Sequence, residues 1–249
     1  MQKELIELQP KRWKWIIMIL FPTSLVIVSL FLGRYVVPPA QVLQILGNKF
    51  LGMNFDPLWT SSAETVILQV RLPRAIMAAL IGAGLSMSGA SFQGMFQNPL
   101  VSPFILGVSA GASFGAAMGL VLELPALAVQ GLAFVFGILA VGLAYFLAHI
   151  YKATPILMLV LSGMVVSAFF QSLLSLIKFV ADDEEKLPAI TFWLMGSLGS
   201  IEVKDLTIAV IPITLSMIVL YLLRWKLNVL SMGDRESRSL GVNNELMKG

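Results

Sequence analysis

The side chains able to do chemistry are few. His149 is the sole histidine among 249 residues and there is no cysteine. A histidine metal cluster, a thiolate metal site, a disulfide and a cysteine nucleophile are therefore excluded. The chain carries no phosphate-cradling Gly-rich loop, no zinc-binding His-Glu-x-x-His and no nucleophile elbow. A serine paired with His149 would suit a membrane-embedded hydrolase, but His149 falls at a helix end with no nucleophile beside it in the sequence. No catalytic residue, metal site or cofactor is expected, so any nucleotide energy must come from a separate ATPase chain.

The remaining polar residues are placed as recognition and gating groups would be. Arg71 and Arg74 bracket Leu72 and Pro73 just ahead of a long apolar run, on the side that the charge distribution makes external. Arginine outside runs against the inward bias of Lys and Arg. Either an acidic partner binds there or both side chains snorkel to lipid phosphates; Pro73 suits a first helical turn. Asn98-Pro99-Leu100-Val101-Ser102-Pro103 joins two apolar runs, its prolines ending one helix and starting the next, with Asn98 suited to the freed backbone groups. Its place at the inner mouth suits a constriction. Ser167, Gln171 and Ser175 recur at i, i+4 and i+8, one face of a helix. That face lines a translocation path or bonds a neighbouring helix at about 1 kcal/mol or less per bond. After the last apolar run, Leu227, Val229, Leu230 and Met232 precede Asp234, which is placed to cap a short helix through Arg238, and Leu240-Gly241, placed to close it. Apolar residues outside the membrane favour a docking surface over a solvated tail.

The elements that position these groups follow from composition. The chain is 57% hydrophobic and 12% charged with mean hydropathy +0.86, where soluble domains average about 25% charged. A water-soluble globule is excluded. Hydrocarbon about 30 Å thick needs roughly 20 apolar residues per helix, and six uncharged runs are expected to span it: 15–33, 75–97, 103–122, 125–149, 155–177 and 206–223. No run alternates with period two, which excludes a barrel. The expected fold is an all-α polytopic transmembrane bundle. The first run follows Lys11, Arg12 and Lys14 as a signal peptide would, but lacks a small-residue cleavage site and is expected to stay as an uncleaved helix. Gly107, Gly111, Gly115 and Gly119 form one bare stripe, and Gly82, Gly84, Ser88 and Gly89 another, both expected to admit a neighbouring backbone closely.

The balance of Lys and Arg places both ends in the cytoplasm. The pI near 9.2 then reflects basic residues beside the inner leaflet, and no nucleic-acid partner is expected. Two outer segments are long. Residues 34–74 hold an amphipathic stretch, 39–50, with Val42, Leu43, Ile45, Leu46 and Phe50 spaced for one helical face. Residues 178–205 hold an acidic run from Asp182 to Glu185, read as solvated loop, and the phrase FWLMGSLGS.

The segment RLPRAIMAALIGAGLSMSGASFQGMFQNPLVSPFILGVSAGASFGAAMG, residues 71–119, resembles the most distinctive stretch of the FecCD-type permeases of ABC importers for iron-siderophore, haem and cobalamin. Residues 159–163, FWLMGSLGS and LNVLSMGDRESRSLGV are similar to later motifs of that family in the same order. The resemblance implies a permease homodimer in the cell (plasma or inner) membrane, contacting lipid, with a cytoplasmic ABC ATPase dimer and an extracytoplasmic substrate-binding protein. By the same resemblance Arg71 and Arg74 dock the binding protein. Asn98 and Leu100 form a cytoplasmic gate, with Thr154, Pro155 and Ile156 a second gate layer that departs from the family's polar pair. Gly233, Asp234, Arg235, Glu236, Ser237, Arg238, Leu240 and Gly241 couple to the ATPase, within coupling helices at 226–243 of a single permease domain, 1–249. Family members have ten spans and this chain six, so a fragment or a truncated permease is expected. Two rivals stay open: an ion-coupled secondary transporter, which would place ionisable residues at the midplane, and the membrane-embedded hydrolase.

Overall fold

The computed structural model describes residues 12–56, 58–150, 155–181, 184–233, 237 and 239–240. Of the residues singled out above, Lys11, Thr154, Asp182, Asp234, Arg235, Glu236, Arg238 and Gly241 lie outside the described residues, as do the side chains of Arg12, Pro155 and Ile156. All regular structure among the described residues is helical: α1 (Arg12–Phe31), α2 (Pro39–Leu51), α3 (Ser61–Thr65), a π-helical stretch (Val66–Arg71), α4 (Leu72–Phe96), α5 (Val108–Val121), α6 (Ala126–Ile150), α7 (Pro155–Val180), α8 (Lys186–Met195) and α9 (Val203–Leu230). Among the described residues, five helical runs are long and apolar enough to cross a membrane. The all-α polytopic architecture expected from composition is therefore present, and the chain is a multi-pass membrane protein.

The third expected span differs. Only its 14-residue C-terminal part, α5, is helical, about 21 Å at 1.5 Å per residue. Pro103 and the residues after it form tight turns instead, with the Ile105 N–H on the Ser102 carbonyl at 3.2 Å and the Gly107 N–H on the Phe104 carbonyl at 3.0 Å. Gly107, at φ 81°, starts the helix, a left-handed backbone that glycine adopts without penalty.

The second expected span starts earlier than its apolar run. Helix runs unbroken over Ser61–Phe96, capped by Thr60, whose hydroxyl accepts the Ala63 N–H at 3.2 Å. Arg71 and Arg74 therefore lie within a continuous rod, not at a helix start, and Pro73 is not in a first turn. Proline lacks the N–H of an i→i−4 bond and clashes with the preceding turn. The wider π-helical winding just before Pro73, where the Leu72 N–H reaches the Ile67 carbonyl, accommodates it. Polar Ser61, Ser62, Glu64 and Gln69 hid this extension from a hydropathy reading.

Two compact units form. One comprises residues 1–84 and 198–217, the other 85–197 and 218–249. In the first unit, Leu30, Val37, Val42, Ile45, Ala63, Ile67 and Ala75 make a buried cluster. Helix α2 is amphipathic as expected, but its buried face is Val42, Ile45 and Gly47, while Leu43 and Phe50 are exposed. Gly52, at φ 62°, ends it.

In the second unit the glycine stripe of α5 meets α6. A Cβ on Gly111 would strike the Phe136 carbonyl oxygen and stand 2.6 Å from the Ala140 Cβ, and one on Gly115 would stand 2.8 Å from the Leu132 carbonyl carbon. These are backbone-to-backbone contacts that only glycine permits. The other expected stripe behaves differently, since a Cβ on Gly82 would meet nothing within 4 Å. Phe114, Phe136 and Phe170 pack edge-to-face and tilted, with ring centroids 5.0–6.3 Å apart, knitting α5, α6 and α7 together. Helix α8 lies within a segment expected to be loop. Its Ile190 is fully buried beside Ala117 and Ala181.

Candidate functional site

The two arginines have different surroundings. Arg71 is buried. Its Nη1 donates to the Leu30 carbonyl at 2.8 Å and its Nη2 to the Tyr35 carbonyl. Leu30 lies in the last turn of α1, where helix termination leaves acceptors unpaired, and Tyr35 lies just beyond it. A Cβ on Gly33 would stand 2.7 Å from the Arg71 Nη2, so glycine there leaves room for the guanidinium. Arg74 is half-buried and its Nη2 donates to the Gly199 carbonyl, within the FWLMGSLGS phrase. The Arg74 Nε is buried and has no hydrogen-bond partner among the described residues. A carboxylate accepts the Nε and Nη donors of a guanidinium in a fork.

The α4–α5 turn is built by its own polar groups. Phe96 ends α4 and Gln97 follows at φ 51°. The Asn98 N–H reaches the Gln93 carbonyl and the Gln97 N–H the Gly94 carbonyl, both at 3.2 Å, which is the paired closure of a Schellman motif. The Asn98 Oδ1 accepts the Leu100 N–H at 2.9 Å, and the Asn98 carbonyl accepts the Val101 N–H at 3.3 Å. Gln93 points from α4 into the turn, its Nε2 donating to the Pro99 carbonyl at 3.0 Å. A polar side chain at a helix end in lipid needs such a partner, and the Pro99 carbonyl, freed by the break in the helix, supplies it. Val101 turns inward to join Phe96, Leu106 and Leu159. Leu100 is left 88% exposed. The result is a hydrogen-bonded turn presenting one bare apolar side chain.

The face proposed for a path is split. The Ser167 hydroxyl bonds back to the Gly163 carbonyl at 2.7 Å and lies 3.0 Å from where a Gly107 Cβ would stand. Gln171 and Ser175 are exposed, with Ser175 bonded to the Gln171 carbonyl at 2.9 Å. His149 stacks on Tyr145, ring centroids 5.6 Å apart. No group of three or more His, Asp or Glu side chains able to hold a metal occurs among the described residues.

Residues 226–230, expected to begin the coupling helices, are the last turn of α9. Their apolar side chains extend the apolar α9 pattern, so helix continues past Arg224. Gly233, at φ 123°, breaks it. The Ser237 N–H bonds the Gly233 carbonyl at 3.0 Å, and Ser237 and Ser239 are helical. Ser237 is fully buried and Leu240 exposed. Sequence reasoning missed Gln97, whose Nε2 donates to the Leu230 carbonyl at 3.1 Å. No local signal marks a bond between residues so distant in the chain.

Comparison with known proteins places this arrangement. The chain is 36% identical over 216 residues to the molybdate import system permease protein MolB of Haemophilus influenzae, covering 87% of this chain and 63% of that one. It is 31% identical over 215 residues to the hemin transport system permease protein HmuU of Yersinia pestis, covering 81% and 64%. The chain thus spans less than two thirds of the length of these relatives. Its fold is similar to a metal-chelate type ABC transporter solved in an inward-facing conformation, with TM-score 0.78, 34% identity, and 92% and 68% of the two chains covered. Residues 17–249 match the model of the FecCD transport family. This chain belongs to that family.

Proposed function

We propose that the chain is the membrane-spanning permease part of an ABC importer that moves an iron-siderophore or related metal chelate, such as haem or cobalamin, into the cytoplasm by ATP-driven alternating access. The observation that carries this reading is the continuous family likeness over residues 17–249. The agreement of the helical framework with a metal-chelate type ABC transporter at TM-score 0.78 supports it. The chain works as one permease domain with both ends cytoplasmic, paired with a second copy, a cytoplasmic ATPase dimer and an extracytoplasmic binding protein in the plasma or inner membrane.

Each site takes a role within that cycle. Arg74, half-buried beside the Gly199 carbonyl, brings a positive charge that docks a carboxylate of the binding protein. Arg71 contributes to the same surface by holding the end of α1 through the Leu30 and Tyr35 carbonyls. Asn98 braces the gate turn and Leu100 is its plug, with Thr154, Pro155 and Ile156 as the second gate layer. Ser167, Gln171 and Ser175 border the path. Residues 233–241 couple to the ATPase, where charge complementarity sets register more than affinity. Relatives named for molybdate and hemin differ in cargo on one framework, so the separate binding protein selects the chelate.

Proteoliposomes containing the permease, its co-expressed ATPase and its binding protein test the reading, with ferric citrate, haemin and cyanocobalamin as probes. ATP-dependent, vanadate-sensitive uptake of one of them is expected. Uptake by the permease alone, driven by an ion gradient without ATP, refutes the reading.

A further inference from the structure

Gln97 has no role in the scheme above, and its backbone conformation disfavours it. At φ 51° its Cβ crowds the following carbonyl, which is why glycine or asparagine ordinarily closes such a helix end. The closure itself uses only main-chain groups, the Gln97 and Asn98 N–H groups on the Gly94 and Gln93 carbonyls. Glycine would make the same turn without crowding. What glutamine adds is the carboxamide, and that reaches α9, where its Nε2 donates to the Leu230 carbonyl at 3.1 Å.

Leu230 is the last residue of α9 and 1% exposed. Its carbonyl also accepts the Gly233 N–H at 3.2 Å, so one oxygen joins Gln97 to the break that opens the coupling segment. Beside it, a Cβ on Gly94 would stand 3.7 Å from the Ser231 Cβ. On the other side of Gln97, Asn98 holds the Leu100 N–H at 2.9 Å. Hydrogen bonds therefore tie Gly233 and Gln97 to the one Leu230 carbonyl, and the chain itself carries Gln97 into Asn98, whose side chain holds the Leu100 N–H. The apolar cluster beneath the turn, built on Phe96, Val101, Leu106 and Leu159, includes no described residue of α9.

We propose that Gln97 is a positioning residue of the transport cycle: its carboxamide grips the end of α9 and delivers movement of the coupling segment to the gate turn that carries Leu100. The role rests on the importer reading. It requires a hydrogen-bond donor of that reach at position 97, which separates it from a requirement for shape. Gln97→Gly removes the donor while relaxing the turn, so folding is preserved. Gln97→Glu keeps the shape with a carboxylate that only accepts, and Gln97→Lys keeps a donor.

The chain has no cysteine, so Leu100→Cys is a unique reporter. The full permease carrying it is purified with its ATPase in lipid nanodiscs. The labelling rate by fluorescein maleimide is then measured with and without ATP plus vanadate, alongside ATP hydrolysis. With Gln97 intact, and in Gln97→Lys, nucleotide should change the labelling rate by about fivefold or more; in Gln97→Gly and Gln97→Glu the change should fall below about twofold while hydrolysis holds, a loss within the range seen for coupling residues. A full nucleotide response in Gln97→Gly overturns the inference. So does a parallel loss of hydrolysis and response in Gln97→Gly, or a lost response in Gln97→Lys. Failure of the unsubstituted permease to bind any ATPase overturns the importer reading, and the inference with it. Those results are distinguishable.

Discussion

Gly111→Ala measures how closely α5 and α6 are pressed together. The added Cβ would overlap the Phe136 carbonyl oxygen and stand 2.6 Å from the Ala140 Cβ, where carbon atoms prefer about 3.5–4.0 Å. Both obstacles belong to helix α6, one of them backbone, so no flexible side chain can swing aside. The helices must separate by roughly 1 Å, and overpacking of this kind costs about 1–3 kcal/mol. Alanine recovers about 0.5–1 kcal/mol of helix propensity over glycine, leaving a net loss of about 1 kcal/mol at the middle of those ranges. For a chain of this size that lowers Tm by about 2–4 °C. The assay is thermal unfolding of the full chain in detergent micelles, with Gly131→Ala and Gly142→Ala as controls. A Cβ at either control position meets nothing within 4 Å, so both should melt at or slightly above the unsubstituted temperature. If Gly111→Ala melts with the controls, the close backbone contact assigned to the α5 stripe is wrong.

Arg71→Ala leaves the Leu30 and Tyr35 carbonyls without their donor, so stability should fall by about 1–3 kcal/mol in the same melting assay. Arg74→Glu should instead weaken capture of the binding protein on an affinity column by about tenfold or more. Losing the bond to the Gly199 carbonyl lowers Tm as well, so Arg74→Lys, which keeps the charge, is the stability control and should retain capture. Gly94→Cys with Ser231→Cys should cross-link spontaneously in air, because the 3.7 Å Cβ separation is close to the disulfide mean of about 3.8 Å; a mass spectrum lacking the bridged peptide would count against the placement of α9 beside the α4–α5 turn. The Glu123 carboxylate receives a hydrogen bond from Lys186 and feels its charge, which lowers its pKa from 4.5. A carboxylate whose folded pKa is depressed contributes stability above its unfolded value and loses it as pH falls through the folded one. Melting of Glu123→Gln and the unsubstituted chain should therefore differ at pH 7 and converge as pH drops below about 4.

The sequence made the helices legible where hydropathy alone decides them and misplaced their ends where it does not. The uncharged runs near 15–33, 125–149 and 155–177 correspond to α1, α6 and α7, because lipid leaves the backbone no alternative to internal hydrogen bonding. Polar residues from Ser61 to Gln69 masked the start of the long α3–α4 rod, and the π-helical winding that accommodates Pro73 has no signature in composition. Helix α8 was hidden beside the acidic run, since Ile190 is buried by α5 and α7 partners distant in sequence. At the sites, residue type was informative and surroundings were not. Two arginines three residues apart looked equivalent, yet one is enclosed by carbonyls at the end of α1 and the other retains a donor without a partner.

The same limit explains Gln97. In the sequence it is one polar residue ahead of Asn98-Pro99, and its neighbours account for the turn completely. Its conformation is unfavourable for a glutamine, and a turn needing only main-chain bonds gives no local reason for that residue. The reason has to come from the far end of the carboxamide, at the Leu230 carbonyl. An unfavourable backbone that persists marks a place where surrounding structure outweighs local preference. Here the surrounding structure is the end of α9 just before Gly233, which on the proposed importer role is where movement outside the membrane is passed to the gate turn. A glycine at position 97 would give a more relaxed turn and, on this argument, a permease whose gate no longer follows its ATPase.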